Sequence, residues 1–240
     1  MAIIYNTSIV KNGLVLYLDA ANPRSYSGTG TIWRDLSGNG RNGTLLNGVS
    51  YSSNNSGILV FDGTDDYVTV PHDSTISQQV FGTSTNFTLS GWVNTTIFKD
   101  WTCVIAKATG PFYSNTTAGI WINSTGYEVV AGSNENDNPS ASNIRLSLTG
   151  ITNTWYNIVA VGNGTNLLFY SNGQLVTSAP FSNITRTRSE NTSEITIGKR
   201  STNVTPTHSG SISSVSVYNR GLSATEVRQN FEATRDRYGV

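Results

Sequence analysis

The sequence predicts an all-β fold, either a sandwich or a barrel, with one short helix near its end. Short apolar or alternating segments recur along the whole chain, and turn-forming Gly, Asn, Asp and Ser separate them. The pairs Asn163-Gly164 and Asn172-Gly173 stand between such segments, and this dipeptide suits the positive φ angles of tight hairpin turns. A helical spacing of apolar residues is clear only near the carboxyl end.

The predicted strands follow from these segments in chain order. The stretch Phe61–Pro71, "FDGTDDYVTVP", is predicted to be a hairpin in which Asp62, Gly63 and Thr64 turn the chain. Residues 155–179 are predicted to form three strands joined by the two Asn-Gly turns. The other predicted strands are residues 13–20, 57–62, 66–71, 87–94, 101–108, 118–123, 127–133, 193–199 and 210–219.

The predicted helix covers residues 223–236. Ser223 is a favourable N-cap and Glu226 follows three positions later, so the two side chains can satisfy each other's free backbone N–H groups as a capping box. Val227 and Phe231 then fall on one face of the helix at a spacing of four residues. We expect this face to pack on the β-structure.

The composition limits the function classes. Only 12% of the residues are charged and the formal net charge is zero, so the chain lacks the basic surface that binding to nucleic acid requires. No apolar run reaches the roughly 20 residues of a membrane span, and "MAIIYNTSIVKNG" lacks the basic n-region and long apolar h-region that are typical of a signal peptide. We therefore expect neither nucleic acid nor membrane insertion, and synthesis in the cytosol without an export signal. Cys103 has apolar neighbours and is predicted to be buried.

The domain organisation is predicted to be simple. No linker and no repeat of fixed period divides the chain, so residues 1–240 are interpreted as a single domain. Residues 1–12 are apolar and form either an N-terminal arm that docks on a partner or the first strand.

The order of the segments resembles the laminin-G-like branch of the concanavalin A-like lectin/glucanase superfamily. The resemblance extends from Gly13 to Tyr238 and implies a jelly roll of two curved antiparallel sheets. It rests on the segments "GLVLYLDA", "WRDLSGNGRNGTL", "FDGTDDYVTVP", "FTLSGWVN", "WYNIVAV", "LLFYSNGQLV", "ITIGK" and "GSISSVSVYNRGLSATEV".

The ending "YNRGLSATEVRQNFEATRDRYGV" also resembles the C-termini of structural proteins of tailed bacteriophages. This resemblance implies a non-catalytic structural protein at the virion surface, for capsid decoration or for adhesion in a tail or fibre. The partners it implies are other virion proteins, further copies of this chain and host cell-surface polysaccharide. A stand-alone carbohydrate-binding lectin module is the alternative, and a glycoside hydrolase is a more distant one.

Catalytic residues are not predicted. Glucanases of the superfamily carry two catalytic carboxylates on one strand, in a pattern like E-x-D-x-x-E. Glu135 and Asp137 begin such a pattern in "NENDNPS", but no second Glu completes it and the segment is typical of a turn. His72 and His208 are the only histidines, which leaves little material for a catalytic triad.

Calcium is the one cofactor that the resemblance suggests, although none is required. Laminin-G-like domains often hold one calcium at the rim of the sandwich, and Ca²⁺ prefers carboxylate and carbonyl oxygens. The candidate ligands are Asp35, Asn39, Asp62 and Asp65, and the favoured alternative for each is a turn residue whose side chain accepts local backbone N–H bonds. Many relatives carry Asp in the penultimate strand where this chain has Ser213.

Aromatic residues in or near loops are the candidates for sugar binding, because sugars stack on exposed aromatic faces. Trp92 and Trp155 lie within strand patterns and are predicted to be in the core. For each loop aromatic, packing in the core is the alternative role. The candidates for a carbohydrate-binding platform are Trp33, Trp101, Phe112, Tyr113, Trp121 and Tyr127.

Overall fold

The computed structural model describes residues 8–108, 118–132, 143–183, 192–201 and 207–240. These residues form two antiparallel sheets, which confirms the predicted all-β, concanavalin A-like class. In chain order the strands are β1 (Leu14–Asp19), β2 (Ile32–Trp33), β3 (Gly43–Leu46), β4 (Ser50–Ser52), β5 (Ile58–Asp62), β6 (Tyr67–Val70), β7 (Asn86–Ile97), β8 (Thr102–Ala106), β9 (Ala118–Asn123), β10 (Gly126–Gly132), β11 (Asn143–Thr149), β12 (Trp155–Asn163), β13 (Asn166–Ser171), β14 (Gln174–Pro180), β15 (Ile195–Ile197) and β16 (Ser209–Tyr218).

Long-range pairing builds both sheets. Sheet A has the order β14-β13-β12-β7-β16-β5-β4, and β1 also pairs with β16. Sheet B has the order β11-β10-β9-β8-β15-β6-β3-β2. The main core lies between them and contains apolar side chains from both sheets, for example Leu89 and Ile158 of sheet A and Ile120 and Val129 of sheet B.

The helical segments are short. An α-helix, α1, covers Ser74–Gln79 and a second, α2, covers Ala224–Glu232, while 3₁₀ turns occupy Asn54–Ser56, Phe181–Asn183 and Arg235–Arg237. Helix α1 was not predicted, because its six residues have no amphipathic period; Asp73 caps it by accepting a hydrogen bond from the Ile76 N–H at 3.0 Å. No helix in the described part of the chain is long and apolar enough to cross a bilayer.

Helix α2 covers the outer face of sheet A. The predicted capping box is present: the Ser223 hydroxyl accepts from the Glu226 N–H and the Glu226 carboxylate accepts from the Ser223 N–H. The helix is shorter than predicted, because a 3₁₀ turn follows it. Beneath this end of the chain the Trp92 ring stacks on Tyr238, with 4.0 Å between ring centroids.

The described part of the N-terminal segment lies against α2. Residues 8–12 form no strand. The Val10 N–H donates to Asn230 Oδ1 at 2.8 Å, and the Val10 carbonyl accepts from the Tyr218 hydroxyl at 3.0 Å. This end of the arm is therefore bound to its own domain.

The predicted Asn-Gly hairpins join neighbouring strands. Strands β12, β13 and β14 are consecutive in sheet A. At the second turn Asn172 and Gly173 have φ angles of 48° and 73°, as a two-residue type I′ turn requires.

The predicted hairpin at Phe61–Pro71 is wrong. Strand β5 pairs with β16 and β4 in sheet A, whereas β6 pairs with β15 and β3 in sheet B. The residues between them therefore carry the chain from one sheet to the other. Residues 62–66 are called the corner below. Two strands with a turn between them look alike in sequence whether they share a sheet or face each other across a core.

Candidate functional site

Three loops meet at one end of the sandwich. They are the corner, the β7–β8 turn of residues 98–101 and the β9–β10 turn of residues 124–125, and together they are called the rim. Lys99 Nζ donates to the Gly63 carbonyl at 2.9 Å, and the Ser124 N–H donates to Asp100 Oδ1 at 2.8 Å. These two bonds join the β7–β8 turn to both of its neighbours.

Trp101 is the most distinctive residue of the rim. Trp101 is 38% exposed, whereas every other Phe, Tyr and Trp in the described ranges is buried or half-buried. Its φ angle is +72°, a left-handed conformation that costs a bulky residue about 1–3 kcal/mol. The guanidinium of Arg200 lies 4.9 Å from the ring centroid, so a cation–π contact holds the indole in this position.

The turn that carries Trp101 is fixed on its inner side. Phe98 packs edge-on against the Tyr127 ring with 5.4 Å between centroids, and the Tyr127 hydroxyl lies 2.9 Å from Thr95 Oγ1. Together with the bonds of Lys99 and Asp100, these contacts hold the turn at three points. The indole is therefore positioned before any ligand arrives, which lowers the entropy cost of binding.

Three predicted platform residues are corrected by their burial. Trp33 and Tyr127 are 0% exposed and belong to the main core, while Trp121 is 2% exposed and packs with Cys103 on the outer face of sheet B. Rings that water does not reach cannot stack on a sugar at the surface. Trp121 lies in a strand, where alternate side chains take opposite faces, and its burial depends on segments distant in sequence.

The remaining aromatic residues of the prediction are either buried in the core, outside the described residues or accessible at the rim. Trp92 and Trp155 are buried beneath the C-terminal segment, as expected for core residues. Phe112 and Tyr113 lie outside the described residues. Trp101 is thus the predicted platform residue that the structure leaves accessible, within the described part of the chain.

The corner gathers three carboxylates. Ligand-type oxygens of Asp62, Asp65 and Asp66 all lie within 4.8 Å of one another. Asp62 and Asp65 were predicted as calcium candidates, and the structure adds Asp66 of the same stretch to them. Oxygen atoms at this spacing are of the type that Ca²⁺ prefers.

The surroundings of Asp62 and Asp66 shift the pKa values of the two carboxyl groups in opposite directions. Asp66 is 3% exposed, and burial together with the neighbouring carboxylates raises its pKa. Asp62 is exposed, and the hydrogen bond that its carboxylate accepts from the Thr64 N–H at 2.7 Å lowers its pKa. Asp66 Oδ2 in turn accepts from the Asp62 N–H at 3.0 Å.

Asp35 has a different role from the predicted calcium ligand. Its two oxygens accept hydrogen bonds from the N–H groups of Tyr17, Ser37 and Arg41 and from the Ser37 hydroxyl, at 2.7 to 3.0 Å. A carboxylate offers about four lone-pair positions, so protein donors already occupy them all. The Asn39 amide donates to the Val15 carbonyl at 3.3 Å. Asp35 and Asn39 therefore fasten their own loop to β1.

Comparison with known families identifies the class of the sandwich. A laminin G family model described as "Concanavalin A-like lectin/glucanases superfamily" matches residues 62–228, a range that begins at the corner and ends in α2. The match covers well over half of the chain. No curated protein sequence matches it.

Solved structures with a similar fold include three proteins of low sequence identity. A sialidase from Trypanosoma rangeli in complex with sialic acid has a TM-score of 0.66 at 18% identity, covering 93% of this chain and 33% of the sialidase. Domain 4 of an extracellular arabinanase from Geobacillus stearothermophilus, in complex with arabinotriose, has a TM-score of 0.65 at 15% identity, covering 92% and 98% of the two chains. The botulinum neurotoxin serotype G binding domain has a TM-score of 0.66 at 18% identity, covering 91% and 50%.

At such low sequence identities, the TM-scores show that the fold is shared. The chain spans about a third of the length of the sialidase that it resembles. It spans nearly all of the arabinanase domain.

Proposed function

Since the chain belongs to the concanavalin A-like lectin/glucanase superfamily, we propose that it is a non-catalytic glycan-binding domain that stacks a sugar ring on Trp101. The observation that carries the proposal is the exposed indole, held in a strained backbone conformation by Arg200 and by the anchored turn. Strain of this kind persists where the surrounding structure enforces it, and it is common at ligand sites. Two similar folds were solved with bound sugars, sialic acid and arabinotriose, which supports the same ligand class here.

Polar groups of the rim suit sugar hydroxyls. Lys99 donates one hydrogen bond to Gly63, and its ammonium group carries two more N–H groups. The exposed carboxylates of Asp62 and Asp65 lie on the adjacent corner and can accept from hydroxyl groups. An aromatic face with a few convergent polar groups is the usual composition of a small-molecule site.

The rim carboxylates are proposed to bind and not to hydrolyse. Asp62 and Asp66 do have pKa values shifted in opposite directions, as the acid and base of a hydrolase do. Asp66, however, is buried and its Oδ2 accepts from the Asp62 backbone, so a glycosidic oxygen has no access to its proton. Glu135 and Asp137 lie outside the described residues. Incubation with host polysaccharide should release no reducing ends, and release that disappears in Asp66→Asn would refute this part.

Binding at Trp101 is tested by truncating the ring. We expect a glycan array to identify a ligand, and Trp101→Ala to weaken its binding about tenfold or more in calorimetry, equivalent to ~1.4 kcal/mol. The matched control is Leu175→Ala on the edge strand β14, whose side chain is 53% exposed and apolar but lies away from the rim. Equal affinities for wild type and Trp101→Ala, or no bound glycan on the array and on host polysaccharide, would contradict the proposal.

We propose in addition that the domain acts at a virion surface, in capsid decoration or in a tail or fibre. The support is the resemblance of residues 218–240 to phage structural proteins, and a surface that relies on neutral polar groups. Its partners would be other virion proteins or further copies of itself, with host polysaccharide as the glycan. Mass spectrometry of purified virions should detect the chain. Sugar affinity without a place in the particle would favour the stand-alone lectin instead.

A further inference from the structure

A cleft of about 430 Å³ opens on the outer side of β1, far from the rim. It lies between the N-terminal segment, β1 and the loops around Asn22 and Ser37. Tyr17 of β1 pairs with Ser216, which is seven residues along β16 from Ser209, and Ser209 pairs with Ile97 beside the rim. At ~3.4 Å per residue the two places are about 24 Å apart, so the cleft is a separate site.

The floor of the cleft is a tyrosine that is held at both ends. The Tyr17 hydroxyl donates to Asp19 Oδ2 at 2.8 Å and its backbone N–H donates to Asp35 Oδ1 at 2.9 Å. Asp19 is 1% exposed, and Arg237 Nη1 lies 2.9 Å from both of its oxygens. The ring therefore offers a fixed, partly exposed surface to the cleft.

The walls are also fixed in place. The Ser37 hydroxyl and Arg41 Nη1 both donate to the Val15 carbonyl, at 3.2 and 2.9 Å, so the loop of Asp35 is bound to β1. On the opposite side Val10 is bound to Asn230 of α2. Half-buried Ile9, Leu14 and Leu36 give the walls apolar patches.

The charged side chains among the described lining residues of the cleft are both cationic. Lys11 and Arg24 line it with exposed side chains, and no carboxylate is among the lining residues in the described part of the chain. Behind the lining, Arg237 pairs with Asp19, and Asp35 accepts its four hydrogen bonds from Tyr17, Ser37 and Arg41. No ion pair engages Lys11 or Arg24 within the described part of the chain, so both cations can contact a ligand.

We propose that this cleft is a second binding site, which takes an acidic sugar bearing a carboxylate. The volume lies within the range of about 300–1,000 Å³ that small-molecule sites occupy. The apolar face of the sugar ring packs on Tyr17 and Leu36, and its carboxylate lies between Lys11 and Arg24. The planar guanidinium matches a carboxylate with two parallel hydrogen bonds, which gives this anion an advantage. The inference uses no residue of the rim, so it stands or falls apart from the proposed function.

The experiment compares one sugar with and without its charge. We titrate the full chain with a galacturonic acid disaccharide, with its uncharged methyl ester and with a sulfated neutral disaccharide. We expect the free acid to bind at least tenfold more tightly than the ester, and its affinity to fall as salt screens the charges. Equal affinity for acid and ester, or no binding of the acid, would overturn the proposal, as would a preference for the sulfated sugar.

Variants assign the binding to the cleft. The double variant Lys11→Gln/Arg24→Gln should weaken binding of the acid at least tenfold, whereas Arg34→Gln, an exposed arginine outside the cleft lining, should leave it unchanged. All three side chains are exposed, so thermal unfolding should be the same in each variant. Trp101→Ala should keep full affinity for the acid. Loss in Trp101→Ala with no loss in the double variant would assign the acid to the rim and refute the second site.

Discussion

Acid should destabilise this fold through one histidine. His208 is fully buried immediately before β16, and the centroid of its ring lies 5.8 Å from that of the Phe61 ring. Burial, the largest cause, lowers its pKa from 6.5 to about 4, because the charged imidazolium would lose its hydration. The folded state therefore favours the neutral ring. The stability that this preference contributes is complete above pH ~6.5 and is lost as the pH falls towards about 4.

The size of the effect follows from the shift. Each pKa unit corresponds to about 1.4 kcal/mol, so most of roughly 3 kcal/mol should be lost between pH 6.5 and pH 4.5. Arg220 lowers the pKa of Glu226 to about 2 from 4.5, and its contribution is lost mainly below pH 4.5. Asp66, whose pKa is raised, acts in the opposite sense and makes the measured loss smaller. His208 is therefore expected to dominate this pH window.

Urea unfolding at pH 7, 5.5 and 4.5 measures the loss, with His208→Gln as the perturbation. The variant should unfold with nearly the same free energy at all three pH values, whatever its absolute stability. His72→Gln replaces the only other histidine and serves as the control, because it leaves His208 in place and should keep the loss of stability that His208 causes. A wild type without pH dependence in this window, or equal slopes for wild type and His208→Gln, would refute the reasoning.

Three further predictions concern the corner, the strained turn and the helix cap. Ca²⁺ should raise the melting temperature of the wild type, because the cation binds among the three crowded carboxylates of the corner. Asp66→Asn should remove this rise. A melting temperature that changes with neither Ca²⁺ nor a chelator, together with no metal by elemental analysis, would exclude the site. Trp101→Gly should be more stable than Trp101→Ala by about 1 kcal/mol in urea unfolding, because glycine adopts the positive φ without cost. A higher stability of Trp101→Ala would show that the backbone at this position is unstrained. Ser223→Ala should cost about 1 kcal/mol by loss of the cap, whereas Ser223→Asp should not, and equal losses would contradict the capping role.

Features set by neighbouring residues were predictable from the sequence. The capping box at Ser223 and Glu226 and the turn at Asn172-Gly173 each depend on a few consecutive residues, and both were predicted correctly. The all-β class was predictable for a related reason, since short apolar segments and turn residues recur along the chain.

Features set by distant residues were not predictable. The corner looks like a hairpin in sequence, because its two sheets are distinguished only by partners far along the chain, such as Ser209 for Asp62. The same limit explains Asp35, whose four donors include the Tyr17 backbone. In sequence, an acidic residue in a Gly- and Asn-rich loop can be either a metal ligand or a side chain that accepts hydrogen bonds from its own loop. The number of protein donors that already occupy its oxygens decides between the two roles.

The two proposed sites are far enough apart to be separated by experiment. Substitutions more than about 10 Å apart with no shared partners act independently, and the rim and the cleft are about 24 Å apart along β16. With short sugars, Trp101→Ala and Lys11→Gln/Arg24→Gln should therefore each affect only its own ligand. A long acidic polysaccharide can engage both sites at once, and tethering then raises its affinity above that of either site alone. A polymer whose binding falls in both variants would engage the rim and the cleft together, whereas sensitivity to one variant would assign it to one site.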